Sequence, residues 1–359
     1  MGKNIAGIGR QKVLLRARPL ALLVAALFLA ACAGTPPPPS WPGLSADDAV
    51  YVAMGKVYAL DANTGQKRWE FPTEGDKKTA YFYSTPTVGS GLVFAGSYDG
   101  KLYALDAATG QKRWEFPTQD RIVAGPAVAG DTVYVGSADR RLYALDAATG
   151  TKRWEFETGK CIWATPLVEG DRVYVTSMDH KLYCLDAESG QKVWEFEAEG
   201  ALAATPALAE DTVYFGAFDS RVYALNAATG EQKWQFETGG WIWSRPLVVN
   251  NTLYISSLEG KVYALNAARG EKKWEFAADG AVRAGPAYGA GLLYVGSEGG
   301  KVYALDAATG QKKWEFEAEA GVLTAPLVTG ELVYIVSRTG QVHALDAATG
   351  NGRWVFSAK

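Results

Sequence analysis

Residues 143–154 read Tyr-Ala-Leu-Asp-Ala-Ala-Thr-Gly-Thr-Lys-Arg-Trp, and this string recurs, with small changes, eight times along the chain. Its acidic or amide position falls at Asp61, Asp106, Asp146, Asp186, Asn226, Asn266, Asp306 and Asp346, a spacing of 45 residues once and 40 thereafter. The closing tryptophans are Trp69, Trp114, Trp154, Trp194, Trp234, Trp274, Trp314 and Trp354. A proline about twenty residues before each Asp or Asn recurs from Pro42 and Pro86 through Pro326. Self-similarity at a fixed period of this size marks a repeat architecture.

Each unit reads as four short strands. In 121–160 the runs Arg-Ile-Val-Ala-Gly-Pro-Ala-Val, Thr132-Val-Tyr-Val-Gly, Arg141-Leu-Tyr-Ala-Leu and Lys152-Arg-Trp-Glu-Phe are separated by turn signals such as Ala-Gly-Asp and Ala-Ala-Thr-Gly. Their apolar positions alternate at two rather than at 3.6, which argues strands and not helical repeats. Four strands of about six residues with their turns fill about 40 residues, the size of a propeller blade. Seven blades would leave strand-like sequence unused at the amino end, so the fold class is all-β, an eight-bladed propeller over 42–359 with four-stranded antiparallel blades. The innermost strand is expected just before each proline.

Upstream the character changes. Residues 1–31 carry five basic groups and no acidic one, then a twelve-residue apolar run, Leu20–Ala31. As a helix that run spans about 18 Å, short of the roughly 30 Å hydrocarbon core, so it reads as an export signal rather than a span. Residues 32–41 follow as Cys32 and a proline-rich, extended tether. Removing the leader leaves 31 basic against 39 acidic residues. That balance gives no reason to seek nucleic acid, whose binding rests on phosphate neutralisation.

Two resemblances follow from these motifs. Leu29-Ala30-Ala31-Cys32 resembles the lipobox of bacterial lipoproteins, which implies lipid attachment at Cys32; Ala33, where an Asp would favour inner-membrane retention, implies an outer-membrane protein facing the periplasm. The stretch Ala59–Trp69 resembles the tryptophan-docking motif of eight-bladed quinoprotein propellers, Ala-x-Asp-x-x-Thr-Gly-x-x-x-Trp, which implies that each Trp packs on the next blade. Locally, the Asp and Thr oxygens can satisfy turn amides and the Gly supplies positive φ. Cys184 in place of Ala, Ser189 and Arg269 in place of Thr, and the two Asn are expected to weaken individual docking contacts.

Where units are nearly identical, the positions that differ are free to carry function. Four residues before each proline the side chain is apolar. Three before it stand Tyr83, Val123, Trp163, Ala203, Trp243, Arg283 and Leu323. By strand alternation that face approaches the central channel, along with the residues two earlier, among them Arg121 and Trp241. Arg121, Trp163, Trp241, Trp243, Arg245 and Arg283 then form an aromatic and cationic cluster suited to a flat anion or to a peptide with acidic and apolar groups; tolerated variation in ordinary packing is the other reading. A five-residue insertion gives Glu74-Gly-Asp-Lys-Lys-Thr-Ala-Tyr-Phe-Tyr83, whose aromatics Tyr81, Phe82 and Tyr83 suit a docking loop, or simply a longer loop.

Generic chemistry is scarce. His180 sits in an expected turn and His343 replaces the repeat's Tyr, without triad or metal partners nearby. Cys161 and Cys184, in the expected first and third strands of one blade, lie about 9.6 Å apart, too far for a disulfide, and are expected to be free buried thiols. No catalytic or metal-binding residue and no cofactor is expected.

Two families share such a propeller. The pyrroloquinoline quinone-dependent dehydrogenases carry the quinone on a tryptophan floor with calcium and a catalytic Asp, and are much larger. The barrel-assembly lipoproteins of the outer membrane are non-enzymatic scaffolds beside the membrane insertase, and this chain resembles them more, with its lipobox, its length and almost nothing except blades. The resemblance implies a lipid-anchored, monomeric component of a larger complex that binds the insertase or a nascent barrel protein. The alternative is a quinone-like small-molecule binder or a degenerate dehydrogenase.

Overall fold

The computed structural model describes residues 43–46, 49–73 and 81–358. The leader, Cys32, the tether with Pro42, and most of the insertion, 74–80, lie outside the described residues.

Every 40-residue unit folds as its alternation dictates. Eight four-stranded antiparallel sheets form, each from four strands consecutive in sequence. The first blade is Gly43–Ala46, Ala49–Met54, Lys56–Asp61 and Lys67–Phe71. The third is Ala127–Ala129, Thr132–Gly136, Arg141–Asp146 and Lys152–Glu157, and the eighth ends at Gly352–Ser357. No helix is present among the described residues.

The two middle strands of each blade are buried on both faces, and the outer strand exposes alternate residues. A single sheet cannot cover two apolar faces, so the core lies between blades. Tyr134, Leu142 and Ala144 of the third blade pack with Ile162, Val173, Val175 and Leu185, which belong to the fourth. The full burial of such side chains is what makes one blade unstable without its neighbours.

One expectation about the strands is corrected. The innermost strand follows each proline and is only three residues long, as in Ala127–Ala129. The segment before the proline is irregular, because its first two residues hydrogen-bond to two different blades rather than along one ladder. Ile122 donates its N–H to the Ser97 carbonyl of the preceding blade, and the Arg121 carbonyl accepts the Ala138 N–H of its own. The apolar side chain four before the proline then plugs the blade behind it. A Cβ on Gly96 would lie 2.3 Å from Ile122 Cγ2, and one on Gly216 would lie 2.0 Å from Ile242 Cγ2. Glycine there is a matter of space.

Candidate functional site

The docking turns set the blades' mutual positions. All eight tryptophans donate their indole N–H to a carbonyl of the adjacent blade. Trp69 bonds Ala107, Trp154 bonds Ala187 and Trp354 bonds Ala62, at 2.9, 3.0 and 3.1 Å. Each ring also covers the motif glycine of that blade. A Cβ at Gly190, where φ is +72°, would lie 2.7 Å from Trp154. The same carbonyls take a second donor, a strand tyrosine such as Tyr134 or Tyr254. In the second blade that position is Phe94, which packs on Trp114 without a hydroxyl.

Inside the turn, Asp146 Oδ1 accepts the N–H and the hydroxyl of Thr149, and Oδ2 takes Arg153. The arginine, then these turn donors, hold Asp61, Asp106, Asp146 and Asp346 down at about 2. The departures from the motif cost the docking bond nothing visible. Ser189 keeps the hydroxyl bond to Asp186 at 2.7 Å, and Trp194 and Trp234 still reach Ala227 and Ala267 at 3.1 and 2.9 Å. Arg269 does lose the hydroxyl, and only its backbone N–H reaches Asn266 Oδ1.

The irregular segments before the prolines converge on the axis and line a cavity of about 180 Å³. The residues three before each of seven prolines, from Tyr83 to Leu323, all face it. So do most of the residues one and two before, because an irregular segment does not alternate as a strand would. Of the predicted cluster, Trp163, Trp243, Arg245 and Arg283 line the cavity. Arg121 and Trp241 do not; they stand one step further back, where the backbone spans two blades.

Trp163 and Trp243 stack with centroids 6.1 Å apart, and the Arg283 guanidinium lies over Trp243 at 5.7 Å. Glu298 pairs with Arg283 through Nε, while Nη1 stays buried without a partner. Arg245 opens onto the channel water yet is walled by protein, and that desolvation lowers its pKa below the ordinary arginine value. Among the described residues no ion pair or hydrogen bond of its side chain is present. The lining holds two arginines and no carboxylate.

Phe218, which the sequence reading passed over, joins this group. It stacks on Trp241 at 5.1 Å and tilts against Trp243 at 5.0 Å, making a continuous aromatic path. The signal was present: Phe218 occupies a second variable position, matched by Tyr98, Ala138, Met178, Leu258, Glu298 and Arg338 in the other units. Those residues share one role, donating a backbone N–H to the segment that enters the channel, as Phe218 does to Ala201.

The three aromatics after the insertion do not form one surface. Tyr81 is 48% exposed and Phe82 is fully buried. Tyr83 faces the cavity and packs on Tyr98, whose phenol burial pushes up to about 12. Cys161 is buried and is not the expected free thiol, while the reading that it does not pair with Cys184 holds. Cys184 is free and buried, and that burial pushes its thiol up to about 11. His180 takes a turn position with φ of +76°. His343 is half-buried against Phe316, its Nε2 without a partner. No group of three or more potential metal ligands occurs among the described residues.

Two family models match the chain. The one described as the beta-propeller of the beta-alanine-activating enzyme covers residues 158–359, and the one described as outer membrane protein assembly factor BamB covers 53–162. Among solved structures, BamB from Moraxella catarrhalis is 26% identical with a TM-score of 0.68, over 77% of this chain and 88% of that one. The computationally designed Ika8 protein is 18% identical, with a TM-score of 0.76 over 86% of this chain and 96% of that one. A quinohemoprotein alcohol dehydrogenase from Pseudomonas putida HK5 is 20% identical, with a TM-score of 0.64 over 77% and 66%. The last two likenesses are of fold alone. A search of curated proteins finds no match.

Proposed function

Because the chain belongs to the β-propeller family described for the beta-alanine-activating enzyme and is a BamB-like PQQ-repeat propeller, we propose that it is a non-enzymatic protein-binding scaffold in the assembly of outer-membrane barrel proteins. It is exported, lipid-anchored through Cys32 and held at the periplasmic face of the outer membrane. The observation that carries this reading is the likeness to BamB, which extends over 88% of that chain and so takes in nearly the whole ring. The leader and Cys32 agree with it at the level of sequence.

The mechanism is positioning. Docked blades form a rigid ring whose outer strands and inter-blade loops present fixed surfaces to a multidomain partner or an unfolded barrel strand. The test is affinity purification of the intact lipoprotein from its own membranes in mild detergent, with mass spectrometry of what accompanies it. Recovery of the barrel insertase above an unrelated lipidated control is expected. Absence of any stoichiometric partner would overturn the scaffold reading.

A further inference from the structure

We propose that the central channel is a binding site for a small planar anion, a single-ring aromatic carboxylate held by Arg245 beside the Arg283–Trp243 pair. The site does not rest on the scaffold reading, since it lies on the ring axis and uses none of the outer surface.

Charge comes first. The chain is acidic overall, yet the channel lining holds two arginines and no carboxylate. Glu298 neutralises one of them, Arg283. Arg245 has no counter-ion among the described residues, and a partly desolvated, uncompensated guanidinium is stabilised by an arriving anion. One free cation matches one carboxylate.

The repeat supplies the second argument. At the position of Arg245 the other six described units carry Thr85, Gly125, Thr165, Thr205, Gly285 and Ala325, all small or hydroxylated. In units otherwise copied nearly letter for letter, packing does not call for an arginine at this place.

Size and shape decide the ligand class. The cavity of about 180 Å³ is close to the roughly 150 Å³ of an apolar cavity that takes up benzene. A single ring with one substituent fits, and one uncompensated guanidinium matches one carboxylate rather than several. The Trp163–Trp243 stack is closed to insertion at 6.1 Å, so the ring lies against its channel side. The carboxylate meets Arg245 in a bidentate pair.

The probe is sodium benzoate, titrated calorimetrically into the full-length, detergent-solubilised protein, with benzyl alcohol as its neutral counterpart. One saturable site is expected for benzoate, at least tenfold tighter than for benzyl alcohol and weakened by added salt. Arg245→Gln should weaken benzoate at least tenfold, Arg245→Lys less, and the exposed outer Arg140→Gln not at all. No saturable benzoate binding, or benzoate binding indifferent to salt and to Arg245→Gln, overturns the proposal. Tight binding of a fused-ring tricarboxylate in place of benzoate overturns the single-ring assignment. The salt comparison needs no variant, so the test stands if Arg245→Gln folds poorly, and none of these outcomes bears on partner recovery from membranes.

Discussion

The indole N–H of Trp354 donates to the Ala62 carbonyl at 3.1 Å, joining the last blade to the first across 292 residues of chain. Tyr334 donates to the same carbonyl at 3.0 Å, and a Cβ at Gly65, where φ is +69°, would lie 2.5 Å from Trp354 Cε3. These contacts are equivalents of those between interior blades, but here they close the ring.

Gly65→Ala is therefore expected to destabilise by more than the ~1–2 kcal/mol of a left-handed alanine alone, because the indole must also retreat. Trp354→Phe, which keeps a ring and loses the donor, should cost about 1 kcal/mol. Urea unfolding measures both, and an unchanged midpoint for Gly65→Ala would mean that the ring does not depend on this contact.

Phe94 stands where a tyrosine of seven other blades donates to the docking carbonyl, for example Tyr214 to Ala267 at 3.1 Å. Phe94→Tyr adds that bond to Ala147, already held by Trp114. A gain of about 0.5–1 kcal/mol is expected, read as a higher melting temperature.

Acid should open the docking turns unevenly. Asp61, Asp106, Asp146 and Asp346, held at about 2 chiefly by their arginine partners, lie below the unfolded value near 3.8. Their contribution is complete above about pH 4 and is lost as pH falls toward 2, where the folded form also takes up its proton. Asn226 and Asn266 accept turn amides without titrating. Hydrogen exchange between pH 4 and 2.5 should show 61–65, 106–110, 146–150 and 346–350 losing protection before 226–230 and 266–270.

His343 adds a second pH dependence. Burial holds its pKa below 6.5 against the opposing pull of Glu319, so stability is full above about pH 7. As pH falls through 6.5 the unfolded chain takes up a proton that the folded one resists, and stability drops. In five other blades this place is a tyrosine bonded to a turn carboxylate, as Tyr143 is to Asp139; the turn residue here is Thr339. The pair His343→Tyr with Thr339→Asp should flatten the dependence between pH 7 and 5, measured by urea midpoints.

Much of this architecture is legible in the amino-acid sequence. The eight Asp or Asn positions and eight tryptophans fix strand count and blade order, because each motif is a local turn plus one contact of fixed offset. The channel was legible in part. Trp163, Trp243, Arg245 and Arg283 declared themselves by differing from their siblings, whereas Arg121 and Trp241 were placed by an alternation that the segment before the proline does not obey. Its backbone bonds go to two blades at once, as at Arg121 and Ile122, and a period-two rule has no purchase there. Phe218 was missed because its partner Trp241 lies on the next unit, a relation that only curvature of the ring creates.

Each blade is woven from four successive strands, and no blade borrows a strand from the other end of the chain. The seam between first and last blade thus carries the same tryptophan-to-carbonyl clasp as every other joint. A chain begun at any inter-blade linker and joined across the present seam would contain the same sheets and the same eight joints. Circular permutants cut between blades should therefore recover the fold, and the sequence origin is a matter of where translation starts rather than of where the ring must be sewn. Such uniform joints also make whole-unit duplication or loss the natural coarse step in this architecture's history, with ring size set by how many identical clasps can close without strain.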